Sequence, residues 1–163
     1  MKSYRRSLML SRFSCFVFLG IFKVAFAQEC LVSIPSDIEF KGTLSPSTSH
    51  GWYGDEHLAA LIPTNGKWVG MGESRNFFDK FWWWQKGFSA RTRLDSEFKI
   101  HAAKLDGSGI EFEVHDTTSG YGPGWDALLA GIEFPSPGCW EVTGHYNGSS
   151  LVLILEVGSG LDA

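Results

Sequence analysis

The chain reads as an all-β domain, an antiparallel β-sandwich, and three observations carry that reading. Residues 134–157 form two apolar-rich strands around Asn147-Gly148, a pair that accepts the positive φ of both central positions of a type I′ turn. No helix-length window keeps its apolar side chains at the 3.6-residue period, and Gly, Pro, Ser and Thr interrupt the chain often. About eight short strand-like stretches with turn chemistry between them have the spacing of sandwiches and barrels. There is no internal repeat and no second-domain linker, so one domain is expected.

The N-terminal 27 residues read as a signal peptide. Lys2, Arg5, Arg6 and Arg12 form a basic start, residues 13–22 an apolar run, and Ala25 and Ala27 the small residues that a signal peptidase reads. The run is shorter than the roughly 20 residues a membrane span needs, and Lys23 interrupts it. Cleavage is expected after Ala27. Gln28 and Glu29 stand where lipid attachment at Cys30 would need small residues. The remaining 136 of 163 residues, 28–163, form the sandwich domain, large enough for a proper core.

Five of the 14 basic residues leave with the signal, whereas all 18 acidic residues stay, so the charge moves from −4 to −9. A surface that acidic disfavours nucleic acid and anionic membrane, which both demand a basic footprint. Cys15 leaves as well. Cys30 and Cys139 remain, and an even pair in an oxidising compartment is most simply a disulfide. The rival, a pair of free or redox-active thiols, lacks a Cys-x-x-Cys. The protein is expected outside the cytoplasm, periplasmic or extracellular.

Element by element, residues 31–34 are a short apolar entry strand and 36–49 a Ser/Thr/Pro-rich loop or loose edge. Residues 57–62 and 67–71 read as a hairpin turning at Pro63-Thr64-Asn65-Gly66. Residues 80–85 hold three consecutive tryptophans. Residues 96–105 alternate, with Phe98, Ile100 and Ala102 facing one way and Glu97, Lys99 and His101 the other. Ile110, Phe112 and Val114 alternate likewise with Glu111, Glu113 and His115. Residues 117–125 read as a glycine-rich loop, 128–134 as a strand, and the C-terminal hairpin follows.

Three segments carry a resemblance: Lys80-Phe-Trp-Trp-Trp-Gln, Cys30-Leu-Val, and Phe134-Pro-Ser-Pro-Gly-Cys-Trp-Glu-Val-Thr-Gly. With Lys104-Leu-Asp-Gly, the chain resembles a family of uncharacterised exported bacterial proteins with a "fPtpGCWEvtG" segment and a central Trp-Trp-Trp segment. The resemblance spans most of residues 28–163. It implies a small immunoglobulin-like sandwich outside the cytoplasm and brings no activity, cofactor or catalytic residue with it.

Candidate chemistry is sparse. On a strand Trp82 and Trp84 share one face and Trp83 takes the other, so at least one face belongs to the core. An exposed face, flanked by Asp79, Lys80, Gln85 and Lys86, would stack sugar rings on indole and bind their hydroxyls. His50-Gly-Trp-Tyr-Gly-Asp-Glu-His57 gathers two imidazoles and two carboxylates, but not at a zinc spacing; a glycine-rich turn explains it as well. The stretch from His115 and Asp116 through Ser119 to Asp126 lacks a Gly-x-Ser-x-Gly elbow. Glu111, Glu113 and Asp116 read as a solvated strand face rather than glycosidase acids. Phosphate-cradling glycine motifs are missing.

The sequence therefore favours a protein that binds rather than catalyses, without cofactor or metal, its ligand a glycan or an envelope protein. Trp82, Trp84, Trp52 and Trp125 are the candidate contacts. Edge-strand pairing with a partner is the alternative, and a small hydrolase or metalloprotein a third.

Overall fold

A computed structural model describes residues 29–36, 40, 45–69, 77–91, 98–114 and 117–158. The signal-peptide reading, and the readings of His115 and Asp116, lie outside the described residues. Among the described residues there is no helix, and so none long and apolar enough to cross a membrane.

Among the described residues, ten strands form two five-stranded sheets. They are β1 (His50–Gly54), β2 (Ala59–Pro63), β3 (Lys67–Val69), β4 (Phe77–Trp84), β5 (Lys99–Lys104), β6 (Glu111–Val114), β7 (Thr117–Gly122), β8 (Trp125–Phe134), β9 (Gly138–Tyr146) and β10 (Ser149–Gly158). The first sheet runs β1-β2-β4-β8-β7 and the second β3-β10-β9-β5-β6. Every pairing is antiparallel except β3 beside β10. The inner faces meet as a β-sandwich, as expected from the sequence.

Period-two alternation builds the core. Phe81 and Trp83 on β4 point inward with Leu128, Ala130, Ile132 and Phe134 on β8. They meet Trp140 and Val142 on β9 and Leu153, Leu155 and Val157 on β10. Trp68 crosses to Phe81 at 4.3 Å between ring centroids, and Phe134 to Trp140 at 5.3 Å. The Trp83 ring lies against Gly144, where a Cβ would come within 2.5 Å of it. Trp140 donates its indole N–H to the Ser136 carbonyl at 3.1 Å. The indole N–H groups of Trp68 and Trp83 find no acceptor among the described residues.

Cys30 and Cys139 form the disulfide that the paired cysteines predict, tying the start of the described chain to β9. Residues 31–34, however, are not a strand. Their backbone makes isolated bonds instead. Ser33 N–H donates to Ile154 O at 2.8 Å, and after Pro35 the Ser36 N–H donates to Trp52 O at 3.0 Å. The segment thus passes from β10 in one sheet to β1 in the other. A proline, with no N–H to give, sits at that crossing.

Two further expectations need correction. β2 and β3 are not a hairpin, because they belong to different sheets. The turn at Thr64-Asn65-Gly66 carries the chain across the sandwich, so that Trp68 enters the core and β3 lies parallel to β10. Residues 117–125 are not all loop, since β7 pairs with β8 from Thr117↔Ala130 to Gly122↔Trp125. Its glycines make room for an indole. A Cβ on Gly122 would lie 2.4 Å from Trp125 Nε1.

Candidate functional site

A groove of about 840 Å³ lies at one end of the first sheet. Three connections supply its walls: the β1–β2 turn with Asp55 and Glu56, the segment after β4 with Lys86, Phe88 and Arg91, and the β7–β8 turn leading into Trp125 and Asp126. Trp84, the last residue of β4, forms part of the lining together with Phe40.

The strand period explains which tryptophans arrive here. Trp83 points into the core, and its neighbours point to the outer face of the sheet. There Trp84 is 8% exposed and stacks on Phe40 at 4.6 Å with 30° between planes. Trp82, half-buried, meets the edge of Trp125 at 5.5 Å. Trp52 on β1 is 1% exposed and lies edge-on to Phe40 at 6.1 Å. Of the four candidate contacts, therefore, Trp84 and Trp125 line the groove, Trp82 braces Trp125, and Trp52 lies underneath.

The charged groups of the groove are mostly engaged. Asp55 Oδ1 accepts the His57 N–H at 2.7 Å and the Leu58 N–H at 3.2 Å. These two bonds, the His57 one foremost, hold its carboxyl below the ordinary carboxylate value. Glu56 is held low by the hydrogen bond from Lys86 Nζ, 2.6 Å away. Asp126 Oδ1 accepts the Ala90 N–H at 3.2 Å. Arg91 lies over the Tyr121 ring, 5.1 Å from its centroid.

The other side chains flanking the triple tryptophan go elsewhere. Gln85 is buried and donates weakly toward Tyr146 O and Ser149 Oγ, both at 3.5 Å. Asp79 and Lys80 sit toward the opposite end of β4. His50 pairs with Ser49 Oγ at 3.0 Å, near Asp79 rather than near Asp55. No three His, Cys, Asp or Glu side chains gather as a metal would need, among the described residues. Ser119 lies within β7 opposite Leu128. Glu111 and Glu113 lie on the edge strand β6, with Glu111 3.6 Å from His101.

Sequence reasoning missed Phe40, Phe88 and Arg91. The last two lie four and seven residues after Trp84, and an aromatic and an arginine just past such a strand are the signal that was there to read. Comparison of the chain with family models, with curated proteins and with solved structures finds no match.

Proposed function

We propose that this chain is an extracytoplasmic, non-catalytic binding protein of immunoglobulin-like type that takes a glycan in the groove at the end of its first sheet. The observation that carries the reading is the meeting of Trp84, Phe88 and Trp125 with Lys86, Glu56 and Asp126 in one concavity. Indole faces suit the apolar C–H faces of sugar rings, and the polar rim suits hydroxyls. Sites of this kind are concave, largely aromatic, and carry a few placed polar groups.

Binding rather than hydrolysis is favoured by how two of the three carboxylates lining the groove, Asp55 and Glu56, are engaged. A glycosidase needs one carboxylic acid with a raised pKa. Asp55 and Glu56 are both lowered instead, each by hydrogen bonds that stabilise the charged form. The extracytoplasmic setting is supported by the leader-like N-terminus and by the Cys30–Cys139 disulfide.

Trp125→Ala is the decisive variant, because Trp125 is only half-buried whereas Trp84 is nearly enclosed. Its affinity for soluble oligosaccharides, titrated calorimetrically, is expected to fall at least about tenfold, a loss typical of an aromatic anchor. Trp125→Phe, which keeps a stacking ring, should retain most of it. A Trp125→Ala protein that binds as tightly as the parent would sink the reading.

A further inference from the structure

We infer that Asn147 is a site of spontaneous covalent modification: its side-chain amide is lost to attack by the Gly148 backbone nitrogen, which leaves aspartate or isoaspartate at the tip of the β9–β10 hairpin.

The chain has three places where an Asn or Asp precedes glycine: Asn65-Gly66, Asp106-Gly107 and Asn147-Gly148. The chemistry open to such a pair is general. The glycine nitrogen gives its proton to hydroxide and bonds to the side-chain carbonyl carbon, Cγ. In an asparagine the Cγ–N bond of the amide then breaks, ammonia leaves, and a cyclic succinimide remains. Water opens the ring at one of its two imide C–N bonds. Opening at Cγ gives aspartate, whereas opening at the main-chain carbonyl leaves the backbone running through the side chain, as isoaspartate. Glycine favours ring closure because it has no Cβ to hinder its nitrogen. The three sites differ in what the fold has done with that nitrogen and with Cγ.

At Asn65-Gly66 both are engaged. The Gly66 N–H donates to Pro63 O at 3.0 Å, and Asn65 Oδ1 accepts the Lys67 N–H at 3.0 Å. Gly66 is also buried. A Cβ there would lie 2.4 Å from Val32 Cβ, and its carbonyl accepts the Glu156 N–H at 3.0 Å. Turning its nitrogen onto Cγ means breaking these bonds and lifting the turn away from β10. At Asp106-Gly107 the carbon is the protected partner. The Ser108 hydroxyl and N–H, with Lys104 Nζ, hold the Asp106 carboxyl ionised and pull it down to about 2. A carboxylate resists nucleophilic attack far better than a neutral amide does.

Asn147-Gly148 has neither protection. Both residues are exposed. Among the described residues, no group hydrogen-bonds the Asn147 side chain or the Gly148 N–H, and a Cβ on Gly148 would meet nothing within 4 Å. The ladder closes at Tyr146 and Ser149, so the N–H in the middle of the turn faces water. Ring closure requires the Asn147 backbone to rotate away from its φ of 48°, and no packing at the tip opposes that movement. The position gives the change a consequence. Isoaspartate adds a main-chain carbon to a loop whose length sets the register of the hairpin. Beyond that loop β10 carries Leu153 and Leu155 into the core. Aspartate keeps the loop length and adds a negative charge to the hollow of about 390 Å³ that residue 147 lines with Lys99 and His145.

The purified, oxidised protein is held for several weeks in warm, mildly alkaline buffer. A second sample, reduced and kept in guanidinium chloride, ages alongside. Both are digested and quantified by mass spectrometry, with aspartate and isoaspartate peptides separated by chromatography. In the folded protein Asn147 is expected to lose its amide at least about tenfold faster than Asn65, whose hydrogen bonds must open first. In denaturant the two rates should come within a few-fold of each other. Equal loss at both positions in the folded protein overturns the inference, as does an Asn147 that reacts in denaturant and survives in the fold. A preference for Asn147 that is just as large in denaturant overturns it too, because the fold then has no part in it. The separated isoaspartate form should melt several degrees below the parent, and the aspartate form close to it. Coincident melts for all three would overturn the effect on register.

Discussion

Asp79 lies toward the start of β4, partly withdrawn from water. Burial raises its carboxyl above the ordinary value of 3.8, and the Lys80 N–H at 2.6 Å and nearby His50 pull it only partly back. A carboxyl whose folded value is raised binds its proton more tightly in the folded chain than in the unfolded one. Its contribution is therefore most favourable below pH 3.8 and declines as pH rises through the folded value. Asp79→Asn keeps an oxygen for the Lys80 N–H and cannot ionise. It should raise the melting temperature at pH 7 and give no gain near pH 3, a difference that thermal melts at the two pH values would read directly. An equal gain at both would assign the effect to packing instead. At this scale the sequence was legible where geometry is local. The inward turn of Trp83 and the outward turn of Trp82 and Trp84 follow from the period of a strand. The burial of Trp52 does not, because it depends on Phe40, a residue distant in the chain that reaches it only once the sheet exists.

The β9–β10 hairpin is the element whose sequence and structure agree most closely. Asn147 and Gly148 have φ of 48° and 78°, and Tyr146 and Ser149 close the turn. Space plays no part at Gly148, since a Cβ there would meet nothing within 4 Å. Gly148→Ala should therefore report the cost of the left-handed backbone alone, about 1–2 kcal/mol, visible as a lower urea midpoint with an unchanged slope. A neutral outcome would mean that the turn relaxes to another type. Turn chemistry is readable because it is satisfied within four residues. The same chemistry at residues 63–66 misleads, because Pro-Thr-Asn-Gly reverses the chain equally well whether the next strand joins the same sheet or the opposite one. Only the partner decides, and the partner is β10, some ninety residues away. β7 was missed for a related reason. Its glycines look like a loop until the Trp125 indole is laid across them.

For the molecule as a whole, the disulfide spans 109 residues and fastens the first described segment to the middle of the second sheet. Closing so long a loop restricts the unfolded chain, and in the chain-entropy account this stabilises the fold by about 4–5 kcal/mol. The Cys30→Ser, Cys139→Ser double variant should consequently melt on the order of 10–20 °C lower than the oxidised parent, measured by calorimetry. A drop of a degree or two would show that residues 30–36 are held in place by their bonds to Ile154 and Trp52 without the cross-link. The sandwich itself was legible in alternation and turns, whereas its sheet order was not, since order is set by contacts between distant strands. That order has a temporal consequence. β10 lies inside the second sheet, between β9 on one side and β3 on the other, and brings Leu153, Leu155 and Val157 to the interior. Synthesis delivers it after every other described strand. A nascent chain ending at Tyr146 has nine of the ten described strands and nothing to join β3 to β9, so completing the second sheet must wait for the ten residues of β10 and then proceed through long-range pairings, the slow regime for small domains.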